Sequence, residues 1–458
     1  MKKALREIPP VHELLDHCRN GSWAVEFSRD QLLRAVREEL ADLRKRLQDG
    51  PSLPVVVDDL IEAVRQRAFQ GEKPSLRKVI NATGVIVHTN LGRAPLAAEA
   101  LSHASRISEG YSNLEFDLEL GSRGSRDEHL ETLFRRLLAA EASLVVNNNA
   151  AALFLVLNTL AQGKEVLVSR GELVEIGGSF RLPEIMKKSG AVLKEVGTTN
   201  KTRVADYRNA FTPDTGLILV VHPSNFQIIG FTERPELSEL VDLGKELQIP
   251  VVEDQGSGIF WNLQGAGIED EPDVVSRLST GVDLISFSGD KVLGGPQAGI
   301  LCGKKTLIGQ CKHNPLFRAL RVDKLIYSAL EATLMLYAAG RAERIPVIRM
   351  ISLTLEELKV RGALWLAELQ GKMPRAKWSL LETLNYIGGG VAPMKSLSSC
   401  AVCLEPENIS VQDLAMFLRK TDPPVVARIE ENRLLFEIRT VLLAEQPLIT
   451  ELLQSLIK

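Results

Sequence analysis

The sequence predicts an α/β fold: a mostly parallel sheet with helices on both faces, a small C-terminal α+β domain and an N-terminal helical module. Two changes of pattern along the 458 residues carry that reading. From about Leu144 to Cys302, short β-branched runs alternate with helical stretches, an order that builds a parallel sheet buried on both faces. Residues 1–75 show helical periodicity alone, and a long helical passage from about Val322 to Leu369 precedes a last set of strands. The expected domains are 1–75, 76–325 and 326–458.

In the first module, Phe27 to Leu47 reads as a helix that Ser28 can cap. Leu32, Leu33, Val36, Leu40, Leu43 and Leu47 recur at helical spacing, and charges fill the other face. A second helix is expected from Val55 to about Phe69, after the Pro51 to Pro54 break and before Gly71 and Pro74. The strand-like runs that follow are Leu144 to Val146, Val166 to Ser169, Val192 to Val196, Leu217 to His222, Pro250 to Glu253, Leu284 to Ser286 and Gly299 to Leu301. Between them, Ala150 to Ala161, Glu172 to Lys188, Arg203 to Phe211 and Pro235 to Leu247 read as helices. The C-terminal domain should hold strands near Cys400 to Leu404, Val425 to Ile429 and Leu434 to Ile438, with helices over Ser410 to Arg419 and Ala444 to Ile457.

Composition narrows the function. A formal net charge of −3 argues against a nucleic-acid coat protein, so no DNA partner is expected, but a local patch for RNA stays open. Residues 1–80 carry fifteen Lys plus Arg against thirteen Asp plus Glu, a balance of about +2. No apolar run reaches the roughly 18 residues of a membrane helix, and the first residues hold no signal-like apolar stretch. A cytoplasmic protein without a membrane partner is expected. The five cysteines form no disulfide framework, and Cys400 and Cys403 sit three apart in a strand, pointing to opposite faces. No metal site is expected.

In a parallel sheet, ligands bind beyond the carboxyl ends of the strands. After Leu144 to Val146 comes Asn147-Asn148-Asn149-Ala150-Ala151-Ala152, leading into an apolar helix. Small residues there let a phosphate approach the free N–H groups of a helix start. After Val251 to Glu253 comes Asp254, followed by Gln255. A strand-end acid there could bind a metal, a ribose or a pyridinium nitrogen. The run Leu284 to Ser286 leads through Ser288 and Asp290 to Lys291, before Gly294-Gly295-Pro296. A lysine placed so can hold pyridoxal phosphate as a Schiff base, with Ser288 able to bond the cofactor phosphate. Anion-binding turn, strand-end Asp and strand-end Lys, in that order, match the aspartate-aminotransferase-like class of pyridoxal-phosphate enzymes. Neither a Walker A loop nor a GxGxxG turn after a strand is present.

Longer blocks make the likeness specific. Ile80 to Leu96, Ser169 to Arg181, Ser286 to Gln297 and Asn314 to Lys324 resemble bacterial selenocysteine synthase, the L-seryl-tRNA(Sec) selenium transferase family, with likeness from about residue 1 to 455. The resemblance implies that seryl-tRNA(Sec) displaces Lys291 from the cofactor. Lys291 then removes the serine α-proton, and β-elimination leaves an aminoacrylyl intermediate to which selenium from selenophosphate adds. Asp290 and His88 are the candidates for proton handling at the leaving hydroxyl. Arg93, Arg318 and Arg321 match the arginines that hold the selenium-bearing anion. On spacing alone, Arg318 and Arg321 lie one helical turn apart and read as a solvated or salt-bridged face. Asp254 is implied as partner of the ring nitrogen, and Ser288, Asn148, Asn149, Ala150, Ala151 and Gln255 as further cofactor contacts. The family also implies a tRNA-binding role for residues 1–75 and a homo-oligomer, a ring of dimers forming a decamer. Two other readings are a pyridoxal-phosphate lyase or transferase acting on a small free amino acid or amino sugar, and a tRNA-binding protein with a decayed active site.

Overall fold

The computed structural model describes the chain apart from residues 1–7, 50–55, 73, 177–179, 224, 261–262, 264, 266, 269–270 and 457–458. The Pro51 to Pro54 break, part of the block Ser169 to Arg181 and Ile457 therefore lie outside the described residues. The chain divides into two compact units, Met1–Lys78 and Val79–Lys458.

The first unit is built of helices α1 (Val11–Arg19), α2 (Arg29–Asp49) and α3 (Val57–Glu72). Ser28 starts α2 as a reciprocal cap: Gln31 N–H donates to its Oγ at 3.3 Å, and its own N–H donates to Gln31 Oε1 at 2.6 Å. Leu14, Leu32, Val36, Leu40, Leu60 and Val64 pack into one core, so each helix gains its stability from burying an apolar stripe. Glu39, buried on α2, accepts from Arg46 at 2.5 Å and from Arg67 of α3 at 3.0 Å.

The second unit begins with short strands β1 (Ile80–Ala82) and β2 (Val85–Val87). Its centre is a seven-stranded sheet: β3 (Ala142–Val146), β4 (Glu165–Ser169), β5 (Val192–Val196), β6 (Thr215–Val221), β7 (Val251–Gly256), β8 (Leu284–Ser288) and β9 (Gly299–Gly303). The spatial order is β3-β9-β8-β7-β6-β4-β5. Every pairing is parallel except those of β9, which runs antiparallel to both neighbours. Alternate residues feed separate cores: Val145, Ile285 and Phe287 pack on one face, Leu144, Val146 and Leu284 on the other. Burial on both faces makes most of these strands apolar runs, the edge strand β5 being an exception, and that property exposed them in the sequence.

The second sheet has six strands and combines β1 and β2 with β10 (Lys377–Gly388), β11 (Val391–Glu405), β12 (Val425–Glu430) and β13 (Arg433–Glu437). Ile80 pairs with Val425 and Tyr386 with Val85, so residues 80–87 form both edges of the C-terminal sheet. The stretch expected as one helix from Glu172 to Lys188 is helical only over Leu182–Ser189. Before it, Glu175–Ile176 pairs antiparallel with Phe180–Arg181; Pro183 suits the first turn of the shortened helix, where a missing N–H costs nothing. The passage from Val322 to Leu369 is likewise three helices, Lys324–Ala338, Pro346–Ser352 and Leu355–Lys372.

Candidate active site

The site forms where β3, β7 and β8 end. Helix α4 (Asn149–Leu160) follows β3 directly, and Asn148 caps it by accepting the Ala151 N–H on its side chain at 2.9 Å. The turn approaches β9 so closely that a Cβ on Gly299 would fall 2.0 Å from the Asn148 carbonyl oxygen, so only glycine fits. The N–H groups of Asn149 and Ala150 begin the helix, where no intrahelical acceptor exists. Small side chains leave them open to an anion.

Asn149 also reaches across the site. Its Nδ2 donates to Asp254 Oδ1 at 2.6 Å, and the Ser286 hydroxyl donates to the same oxygen at 3.1 Å. Burial raises the Asp254 pKa, while the Asn149 bond, Lys291 and the Ser286 bond oppose that rise. Lys291 lies buried in the turn after β8. Burial lowers its pKa; Asp254 and Asp290 counter that effect, and Arg93 adds to it. A Cβ on Gly256 of β7 would sit 3.7 Å from Lys291 Nζ, so the amine lies directly over the β7 backbone. The turn is tied down by Gly294 N–H to the Lys291 carbonyl at 3.0 Å and Val292 N–H to the Ser257 carbonyl at 3.2 Å.

Asp290, beside the lysine, is buried and accepts from Arg93 Nη1 at 2.5 Å. Arg93 holds a left-handed φ of 63°, a conformation unusual for a side chain of its size. Its N–H donates to the His88 carbonyl at 3.0 Å, and Ala94 N–H to the Asp290 carbonyl at 3.2 Å. The loop 88–94 is thereby laced to the lysine turn. His88 Nδ1 is buried with no hydrogen-bond partner among the described residues. Ser288 is buried at the end of β8, three positions before the lysine.

Three predicted residues stand apart from this cluster. Gln255 turns its amide into the chain: Nε2 donates to the Pro272 carbonyl at 2.6 Å and Oε1 accepts the Gly258 N–H at 3.1 Å. Arg318 and Arg321 line a separate cleft of ≈ 370 Å³ with Arg126 and Lys312. Arg321 pairs with Glu115 at 3.4 Å, and Arg126 binds the same carboxylate. The antiparallel bridge of Arg321 to Val146 and the bond from Asn147 N–H to the Leu320 carbonyl set this cleft against the end of β3.

The sequence reading missed His222 and the role of Glu172. His222 follows β6, and its N–H donates to the Asp254 carbonyl at 2.9 Å. Its Nδ1 is buried without a partner among the described residues, and Nε2 lies 3.6 Å from Glu271 Oε2. Burial, helped by the charges of Arg234, Arg277 and Lys291, pushes its pKa down to about 4, so the ring is neutral near pH 7. A strand-end signal was present, because His222 closes the run that begins at Leu217.

Glu172 accepts the Val221 N–H at 3.0 Å, and burial pushes its pKa from 4.5 up to about 7. The native carboxyl thus keeps its proton at pH values where the unfolded chain has already released it. Stability should therefore fall as pH rises from about 4.5 to about 7, by up to ~1.4 kcal/mol per unit. Glu172→Gln, still able to accept from Val221, is expected to flatten this slope in denaturant titrations across that range; a slope equal to the parent's contradicts the assignment.

These residues fit pyridoxal phosphate. The α4 start and Ser288 suit its phosphate, Asp254 a protonated ring nitrogen and Lys291 its aldehyde. The cup closed by Gly299 and the carboxylate held by Asn149 and Ser286 are the features that fit. The described residues contain no cluster of His, Cys, Asp or Glu suited to a metal.

The chain matches the family described as "SelA: L-seryl-tRNA selenium transferase" over residues 79–442. It is 47% identical over 458 residues to the L-seryl-tRNA(Sec) selenium transferase of Aquifex aeolicus (strain VF5), covering 100% of each chain. It is also 47% identical over 445 residues to the protein of that name from Carboxydothermus hydrogenoformans, covering 96% of this chain and 95% of the other. Among solved structures, a D-glucosaminate-6-phosphate ammonia-lyase shares the fold, with a TM-score of 0.57, 19% identity, and 83% of this chain and 96% of that chain covered.

Proposed function

The chain belongs to the L-seryl-tRNA selenium transferase family, and from that premise we propose that it replaces the serine hydroxyl of seryl-tRNA(Sec) with selenium drawn from selenophosphate. The observation that carries the reading is the buried Lys291, its Nζ over Gly256 of β7, two residues after Asp254, whose carboxylate is held by Asn149 from the open start of α4. Pyridoxal phosphate, when bound, supplies the electron sink that makes the serine α-proton acidic.

The chain's own groups then divide the work. Asp254, held in place by Asn149 and Ser286, would be the partner of the ring nitrogen. Lys291, whose pKa is lowered by burial, has its neutral amine available to take the Cα proton. Asp290, clamped by Arg93, lies beside Lys291; Asp290 and His88 on the adjoining loop are the groups we assign to proton handling at the leaving hydroxyl. Arg93, Arg318 and Arg321 are assigned to the selenium-bearing anion, whose charge suits guanidinium forks. Arg318 makes no ion pair among the described residues, which leaves it available to such an anion or to the site of a sister subunit.

We assign residues 1–75 to the body of the tRNA, the rest of the chain to catalysis, and the assembly to a ring of dimers, a decamer. Among the described residues no helix is long and apolar enough to cross a membrane, in keeping with a cytoplasmic enzyme.

The test is an assay of the purified chain with pyridoxal phosphate, selenophosphate and seryl-tRNA(Sec). Selenocysteinyl-tRNA is the expected product; turnover of free serine in preference to the tRNA ester would overturn the reading. Removing residues 1–75 is expected to abolish turnover of seryl-tRNA(Sec) while the cofactor's absorption band persists. Unchanged turnover by the truncated chain refutes the tRNA role of the module.

A further inference from the structure

A cavity of ≈ 510 Å³ lies beyond the ends of β4, β5 and β6. Its walls come from the ends of β4 and β6, the turn after β5, and Lys395 of β11. The strand order explains the placement. The groups fitted to the cofactor sit on β3, β8 and β7, and the cavity continues the row onto β6, β4 and β5. Lys291, Asp254 and the start of α4 are not among its walls. The two compartments meet at His222, which lines the cavity and bonds the Asp254 carbonyl through its N–H at 2.9 Å.

We propose that this cavity seats the ribose and base of the terminal nucleotide of the aminoacylated RNA; the inference rests on the proposed function and extends it. In the substrate, serine is esterified to that terminal ribose. With the serine amine at Lys291, the ribose follows the carboxyl carbon directly, so the nucleoside must lie beside the reacting lysine. The cofactor takes the phosphate-cup side, and this cavity is the neighbouring space.

Its size and lining suit the occupant. Small-ligand sites run from about 300 to 1,000 Å³, whereas a serine alone would leave most of ≈ 510 Å³ empty. Phe226 on the wall is partly buried, its other side packed on the sheet's core, which gives a braced flat surface for a base. On the same loop Ile229 is 80% and Phe231 90% exposed, apolar groups placed where a splayed RNA end arrives. Thr199 and Asn200 offer hydrogen bonds, and Lys201 and Arg234 stand ready for a flanking phosphate. Of the carboxylates on the wall, Glu233 pairs with Arg203 at 2.9 Å, Glu172 accepts the Val221 N–H, and Glu271 lies 3.6 Å from His222 Nε2.

The test compares two probes on the full-length, cofactor-loaded protein. One is 3′-deoxy-3′-serylamino-adenosine, an amide analogue of the aminoacylated end; the other is serinamide. Binding is read by equilibrium dialysis and by the shift of the cofactor's absorption band. The nucleoside probe is expected to bind at least about tenfold more tightly, and Phe226→Ala to reduce that advantage by about tenfold, the scale of base–aromatic stacking. Equal binding of the two probes by a parent protein that turns over seryl-tRNA(Sec) overturns the inference and leaves the proposed function standing. A parent protein that binds both probes but never turns over seryl-tRNA(Sec) overturns the proposed function instead, and this inference with it.

Discussion

Replacing Lys291 with alanine should lower single-turnover selenium transfer from seryl-tRNA(Sec) by about 10³-fold or more, within the range attributed to a positioned proton-transfer group and nucleophile together. The argument is geometric first. Lys291 is buried at the end of β8, its Nζ over the Gly256 backbone and its turn fastened through Gly294 and Val292. Among the described residues Lys291 is the one buried lysine. Burial also lowers its pKa, which enlarges the neutral fraction able to accept a proton at a given pH. Truncation to alanine opens a space shaped for an amine, so added ethylamine should restore part of the lost rate. A merely structural lysine would show no such rescue, and a variant with near-parental rate would contradict the catalytic assignment.

Asp254→Asn is expected to cost about 10²-fold in kcat at saturating cofactor and to weaken cofactor retention through dialysis. The amide keeps the shape of the carboxylate, and its oxygen can still accept from Asn149 and Ser286, so the fold is preserved. Only the charge is lost. In the proposed function that charge would serve the ring nitrogen, and it also raises the Lys291 pKa against the effect of burial. In the cofactor-free variant the Lys291 pKa should therefore fall further, measurable as faster lysine modification at fixed pH. Parental kcat together with unchanged lysine reactivity would remove Asp254 from the site.

Much of the catalytic sheet was legible because strands buried on both faces are continuous apolar runs. Leu217 to Val221 and Leu284 to Ser286 announce themselves, and the polar residues after such runs mark the crevice. That rule singled out Asp254 and Lys291 as candidates. His222 escaped because it closes an apolar run and was counted as its last strand residue, although β6 ends at Val221. The pairing of Glu175–Ile176 with Phe180–Arg181 escaped because the helical spacing over Leu182–Ser189 extends backwards over these residues. Strand β10 was missed for a related reason. Ten of its twelve residues are exposed or only partly buried, so no apolar run marks it, and its pairing with β2 joins residues far apart in the chain. The engagement of Gln255 by Pro272 and Gly258 depends on a loop closing back on β7, which spacing does not encode.

The most direct measurement fixes the cofactor to the chain with borohydride and locates the modified residue by peptide mass mapping. The account predicts a single pyridoxyl group on Lys291, with the absorption band lost in step with activity. A pyridoxyl group on another lysine, or protein that reduces without modification after loading with the cofactor, would contradict it.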